Sequence, residues 1–104
     1  MAQIILSALV DENLKTLIDV LYQKGYFGFK ESAYEYVNKI YDFIYTVPEH
    51  AARPCKDSKY GKHYVVFKMN STTTYYITFD FEGEFYLIKN IFNNHSQEYP
   101  RYIK

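Results

Sequence analysis

Between Lys62 and Asn93 the chain has one economical way to fold, as three antiparallel strands in succession. The runs Lys62 to Met69 (KHYVVFKM), Thr73 to Phe81 (TTYYITFDF) and Glu84 to Asn93 (EFYLIKNIFN) are separated only by Asn70-Ser71-Thr72 and Glu82-Gly83. In the middle run Tyr75, Ile77, Phe79 and Phe81 alternate with Thr74, Tyr76, Thr78 and Asp80. A two-residue period puts one set on each face of a sheet, which predicts one dry face and one wet one. The dry face needs a cover, and the first half of the chain must supply it.

That half reads as one short strand and two helices. Gln3 to Ser7 is apolar and β-branched, suited to a strand that joins the later sheet. From Asp11 to Lys24, Leu14, Leu17, Ile18 and Leu21 recur at helical spacing, with Asp11 and Glu12 in the first turn and Gly25 as a stop. After the short link Tyr26-Phe27-Gly28-Phe29, a second helix from Lys30 to Thr46 presents Ala33, Tyr36, Val37, Ile40, Ile44 and Val47 on one face and ends at Pro48. A link this short predicts an antiparallel helical hairpin. Residues Glu49 to Gly61 lack any period and are expected to form an exposed loop, and the tail from His95 to Lys104 either lies across the sheet edge or extends free. The expected fold is a single α+β domain over residues 1–104, a helical hairpin packed on a mainly antiparallel sheet in the order β-α-α-β-β-β.

Charge narrows the candidate surfaces. The net charge is zero, but residues 1–50 carry seven acids against four lysines, and residues 51–104 carry eight bases against five acids. The excess gathers at Arg53, Lys56, Lys59, Lys62 and Lys68, opposed locally by Asp57. Such a cluster can neutralise phosphates, and neighbouring tyrosines can stack on bases. The plainer alternative is a solvated loop whose lysines serve solubility. Thirteen tyrosines among 104 residues exceed what a core can use, since a buried phenol needs a hydrogen-bond partner. Tyr34, Tyr41 and Tyr45 fall on a side of the second helix distinct from its apolar stripe, either as a partner-binding stripe or packed beneath the tail or loop.

Other chemistry is sparsely represented. Gly-rich phosphate loops, HExxH helices and nucleophile elbows do not occur in the sequence. The lone Cys55 cannot form an intramolecular disulfide, and next to His50 or His63 it reads more simply as an incidental thiol than as a nucleophile. His50, His63 and His95 are too scattered in sequence to suggest a metal site, so neither metal nor cofactor is expected. An N-terminus without a leading basic residue makes a poor signal peptide, and no run approaches the ~20 apolar residues of a membrane span. The expected location is cytoplasmic.

The order of strand, helical hairpin, basic loop and three-strand meander resembles the RelE/ParE superfamily, the small toxins of bacterial type II toxin–antitoxin and plasmid stabilisation systems. The resemblance rests on the first strand ending in Ser7, the second helix closing on Pro48, the segment Lys59-Tyr60-Gly61-Lys62-His63-Tyr64-Val65-Val66-Phe67-Lys68, and the last strand around Tyr86-Leu87-Ile88-Lys89-Asn90-Ile91-Phe92. It is a likeness of pattern over nearly the whole chain. It implies a toxin that inhibits growth, either as an mRNA interferase acting on the ribosome or by binding a target such as DNA gyrase. It also implies a cognate antitoxin as partner. For the RNA-cleaving branch it implies general acid–base and electrostatic roles for Lys59, Lys62, Lys68, His95 and Tyr99, with Arg53, Lys56 and Arg101 holding phosphate. Where the family carries a His-Arg-Arg-like stretch, this chain has Asn93-Asn94-His95-Ser96, and lysine lacks the planar fork of arginine. A non-enzymatic interaction module or a non-toxic homologue using Tyr34, Tyr41 and Tyr45, as a homodimer or with another protein, is the reading from a different class.

Overall fold

The computed structural model describes residues 2–23, 30–59, 61–97, 99–100 and 103. The elements run β1 (Gln3–Leu6), α1 (Ala8–Gln23), α2 (Lys30–Ile44), a single 3-10 turn (Val47–Glu49), β2 (Arg53–Pro54), β3 (His63–Lys68), β4 (Thr74–Glu82) and β5 (Phe85–Asn93). This is the expected α+β architecture, with one strand added. The sheet order is β1-β5-β4-β3-β2, with β1 parallel to β5 and every other pairing antiparallel. The link at Tyr26 to Phe29 and the expected stop at Gly25 lie outside the described residues.

Helix α1 begins three residues before the expected start because Ser7, rather than Asp11, caps it. The Ser7 hydroxyl accepts from the Val10 amide at 3.3 Å and donates to the Lys89 carbonyl at 3.2 Å, so one side chain closes the helix and ties it to β5. Val10 and Leu14 are buried, with Leu17, Ile18 and Leu21 packed beside them. Asp11 accepts from the Tyr41 hydroxyl at 3.0 Å. This contact sets the start of α1 against the last turn of α2, so the helices run antiparallel.

Ala33, Val37, Ile40 and Ile44 of α2 are fully buried, and the last three share one core with Val65, Ile77, Phe79 and Ile88 of the sheet. Each of those larger side chains contributes roughly 1.5–3 kcal/mol by leaving water. After Ile44 the chain turns through Thr46, whose hydroxyl donates to the Phe43 carbonyl at 2.7 Å, and Pro48 enters the 3-10 turn.

The two hairpins are fixed by their turns. Asn70 Oδ1 accepts from the amides of Thr72 and Thr73 at 3.0 and 2.9 Å, a side-chain substitute for a backbone turn. Glu82 pairs with Phe85 across Gly83-Glu84, and Gly83 has φ 60° while Glu84 has negative φ. This is the pattern of a type II′ hairpin, which wants Gly at its first central position.

Two expectations are corrected. The segment read as an unstructured loop contains β2, whose Arg53 and Pro54 pair with Tyr64 and His63. Proline is tolerated there because β2 is an edge strand. The second face of the sheet is also not wet: Tyr76 is 9% and Thr78 1% exposed. Tyr99 and Ile103 lie over Tyr64, Tyr76 and Phe92 on that outer face, so the tail covers the middle of the sheet rather than its edge.

Candidate functional site

Strand alternation and pairing register place the outer face residue by residue. On β3 it carries Tyr64, Val66 and Lys68, on β4 Thr74, Tyr76, Thr78 and Asp80, and on β5 Leu87, Asn90 and Phe92. A bulge keeps this assignment: Thr78 faces Asn90 while Phe79 faces Ile88, which leaves Lys89 as the extra residue. Lys89 reaches Asp80, Nζ to Oδ2 at 3.7 Å.

An aromatic group occupies the middle of this face. The Tyr76 ring lies 5.0 Å from Tyr99, 6.0 Å from Tyr64 and 6.0 Å from Phe92. Burial, then a hydrogen bond with Tyr99, pushes the Tyr76 phenol up to about 12, and the nearby Arg53 charge acts in the opposite sense. Burial thus holds the phenol in its neutral form and makes it a weaker proton donor than an ordinary tyrosine. Tyr64 stands on the strand expected to follow the basic loop, whereas sequence reasoning does not single out Tyr76, although the alternation assigns it to the face opposite Ile77.

Cations stand at both ends of the group. Lys62 is exposed, and its amide donates to Asp80 Oδ1 at 2.8 Å. The Lys59 amide donates to Asp57 Oδ1 at 3.0 Å in the preceding loop, where Lys56 is also exposed. Arg53 is exposed beside Tyr64. At the opposite end of β3, exposed Lys68 faces Thr74. It is a diagonal neighbour of Tyr76, a separation of about 7–8 Å.

His95 lies at the same end of the sheet as Lys68 but on its helix-facing side, with Leu17, Tyr36 and Tyr75. Asn94 accepts from the Thr74 amide at 2.9 Å and donates to the Thr72 carbonyl at 3.2 Å, and Asn93 Oδ1 accepts from the His95 amide at 2.8 Å. These bonds hold the imidazole near Thr73, Nε2 to Oγ1 at 3.4 Å.

The expected catalytic residues thus divide. Lys68 lies on the outer face beside Thr74, and Tyr99 lies over Tyr76. His95 lines a cleft on the helix-facing side with Leu17, Tyr36 and Tyr75. Lys62, after Lys59 in the loop, sits past the far end of β3, about 20 Å from Lys68 by the ~3.3 Å rise per residue. Arg101 lies outside the described residues. The tyrosine stripe divides as well: Tyr34 and Tyr45 are 47% and 57% exposed, but Tyr41 is half-buried and bonded to Asp11. Tyr41 packs against α1 through that bond.

The remaining candidates resolve simply. Burial, then the charges of Asp80 and Asp57, pushes the Cys55 thiol up to about 11, so it stays protonated and a poor nucleophile. His50 stacks on Phe43 at 4.5 Å, and His63 lies against Phe81 at 5.1 Å on the inner side. Among the described residues no group of three His, Cys, Asp or Glu side chains is placed to hold a metal ion, and no helix is long and apolar enough to cross a membrane. No protein-family model, curated protein or solved structure matches the chain.

Proposed function

We propose that the chain is the toxin component of a bacterial toxin–antitoxin pair of RelE/ParE type, acting in the cytoplasm on single-stranded RNA through the outer face of its sheet. The observation that carries the reading is the set of exposed cations along that face, Arg53 and Lys68, with Lys62 at one end. Cations along a strip can follow a phosphate backbone, while the buried rings of Tyr64 and Tyr76 beneath Tyr99 and Ile103 hold the strip's shape. The fold order β-α-α-β-β-β is also the one the resemblance implies.

Chemistry is assigned to the Lys68 end. There the Lys68 cation can hold a phosphate, and His95 stands at the same end of the sheet on its helix-facing side. Lys59 and Lys62 act in binding alone. The cognate antitoxin meets the basic loop with acidic residues and covers the exposed Tyr34 and Tyr45 with apolar ones.

Titration of a labelled single-stranded RNA by fluorescence anisotropy tests the interface. Arg53→Ala and Lys68→Ala should each weaken binding and flatten its salt dependence by about 0.7 per lost phosphate contact. Absence of binding at low salt by the folded protein contradicts the reading. A non-enzymatic module is the second reading, and the exposure of Tyr34 and Tyr45 favours it.

A further inference from the structure

One cleft lies apart from the outer face. It opens on the helix-facing side, at the end of the sheet where Asn70 turns the chain, and its volume of about 660 Å³ is within the range of small-molecule sites. Its two walls are unlike. Helix α1 supplies Leu17, Val20 and Leu21, whereas the sheet and its turn supply hydroxyl, amide and imidazole groups.

Register builds the polar wall. Tyr75 and Asn93 are partners across β4 and β5 and share the inner face. Tyr75 is 5% exposed, and its hydroxyl meets that of Tyr36 at 3.2 Å and bonds to the Asn93 side chain. Asn93 Oδ1 accepts from the His95 amide at 2.8 Å, which leaves its NH2 group for Tyr75. A continuous line of bonds from Tyr36 to the backbone of His95 thus fixes this wall before anything enters. Preorganisation of that kind lowers the free-energy cost of binding.

The His95 ring is held less firmly. Its Nε2 lies 3.4 Å from the Thr73 hydroxyl, at the long end of hydrogen-bond range, and the side chain is exposed. A better placed ligand atom can replace so weak a contact at little cost. Imidazole and hydroxyl can each donate or accept, so together they suit an edge that carries one donor and one acceptor. The rest of the lining selects the charge. Among the described residues that line the cleft none is Lys, Arg, Asp or Glu, and a charged ligand would lose hydration there without an opposite fixed charge in return.

We propose that this cleft binds a small neutral heteroaromatic molecule, its ring against Leu17, Val20 and Leu21 and its hydrogen-bonding edge on Thr73 and His95. The site uses neither Arg53 nor Lys68, so it stands or falls separately from the RNA reading.

Nuclear magnetic resonance of the isotope-labelled full chain provides the test, with adenine as a neutral ring bearing a donor and an acceptor on one edge and benzoate as an anionic ring. Adenine at millimolar concentration should shift the amide signals of Leu17, Leu21, Thr73 and His95 together and to saturation, and benzoate should leave them in place. Thr73→Val combined with His95→Ala removes both edge contacts and should weaken adenine about 10-fold. A second variant keeps the question open to refutation should that one misfold: Val20→Phe, on the opposite wall, fills the cleft and should abolish the shifts. Absence of saturable shifts with adenine, shifts confined to the outer face, equal binding of benzoate, or undiminished binding in either variant overturns the proposal.

Discussion

The rings of Tyr76 and Tyr99 lie 5.0 Å apart at an angle of 36°, and this contact joins the tail to the central strand of the sheet. Tyr99→Ala should remove both the cover and the hydrogen bond that hold the Tyr76 phenol high. The expected cost is roughly 1–2 kcal/mol in a urea denaturation. Spectrophotometric titration of the variant against the native chain should show one tyrosine moving down toward its ordinary value of 10.0. An unchanged titration curve would mean that the tail does not govern the environment of Tyr76.

Stability should fall in alkali. Burial chiefly raises Tyr76 and Tyr41 from 10.0 to about 12, raises Cys55 from 9.0 to about 11, and raises Tyr75 as well. The fold favours the neutral form of each group. The unfolded chain therefore ionises first, and stability that is complete below pH 9.0 declines from there to about pH 12. A urea midpoint that holds constant through about pH 11 would contradict this assignment.

Tyr41 and Tyr45 should behave differently although both lie on α2 or just beyond it. Tyr41→Phe removes the hydroxyl bond to Asp11, whose carboxyl is held below its ordinary range by Lys15 and Tyr41. It should cost about 1 kcal/mol. Tyr45→Ala, at an exposed position, should change stability by less than ~0.5 kcal/mol. Thermal denaturation of the two variants separates a structural tyrosine from one free to meet a partner, and equal losses would refute the distinction.

Much of this fold was legible because period and register carry it. The alternation through Tyr75, Ile77 and Phe79 defined the core face of β4, and Leu14, Val37 and Ile40 marked the helix faces that cover it. What escaped was non-local. Pro54 concealed β2, since a two-residue edge strand leaves almost no pattern. Alternation could assign Tyr76 to the outer face, but not reveal that Tyr99 and Ile103 would bury it. Lys62 and Lys68 are close in sequence and share a face, yet β3 extends them to opposite ends. The bonds of Asn93 and Asn94 instead set His95 beside Thr73 on the helix-facing side.

Two glycines should tolerate alanine very differently. Gly61 has φ 124°, and a Cβ there meets the Phe79 backbone nitrogen at 2.9 Å, whereas Gly83 has φ 60° with open space around it. Gly61→Ala should cost about 2–3 kcal/mol and displace the neighbouring Lys62. Gly83→Ala should cost roughly 1 kcal/mol. Urea denaturation gives both values, and a Gly61→Ala variant as stable as the native chain would contradict the close approach of β4 to the loop.

Growth of a bacterial host after induced expression of this chain most directly tests the central claim that the outer face is the working surface of a toxin. The native chain should arrest growth, and Arg53→Ala combined with Lys68→Ala should relieve the arrest while the purified variant retains its circular dichroism spectrum and thermal midpoint. Normal growth with soluble, folded native protein would contradict the claim, as would arrest undiminished in the double variant.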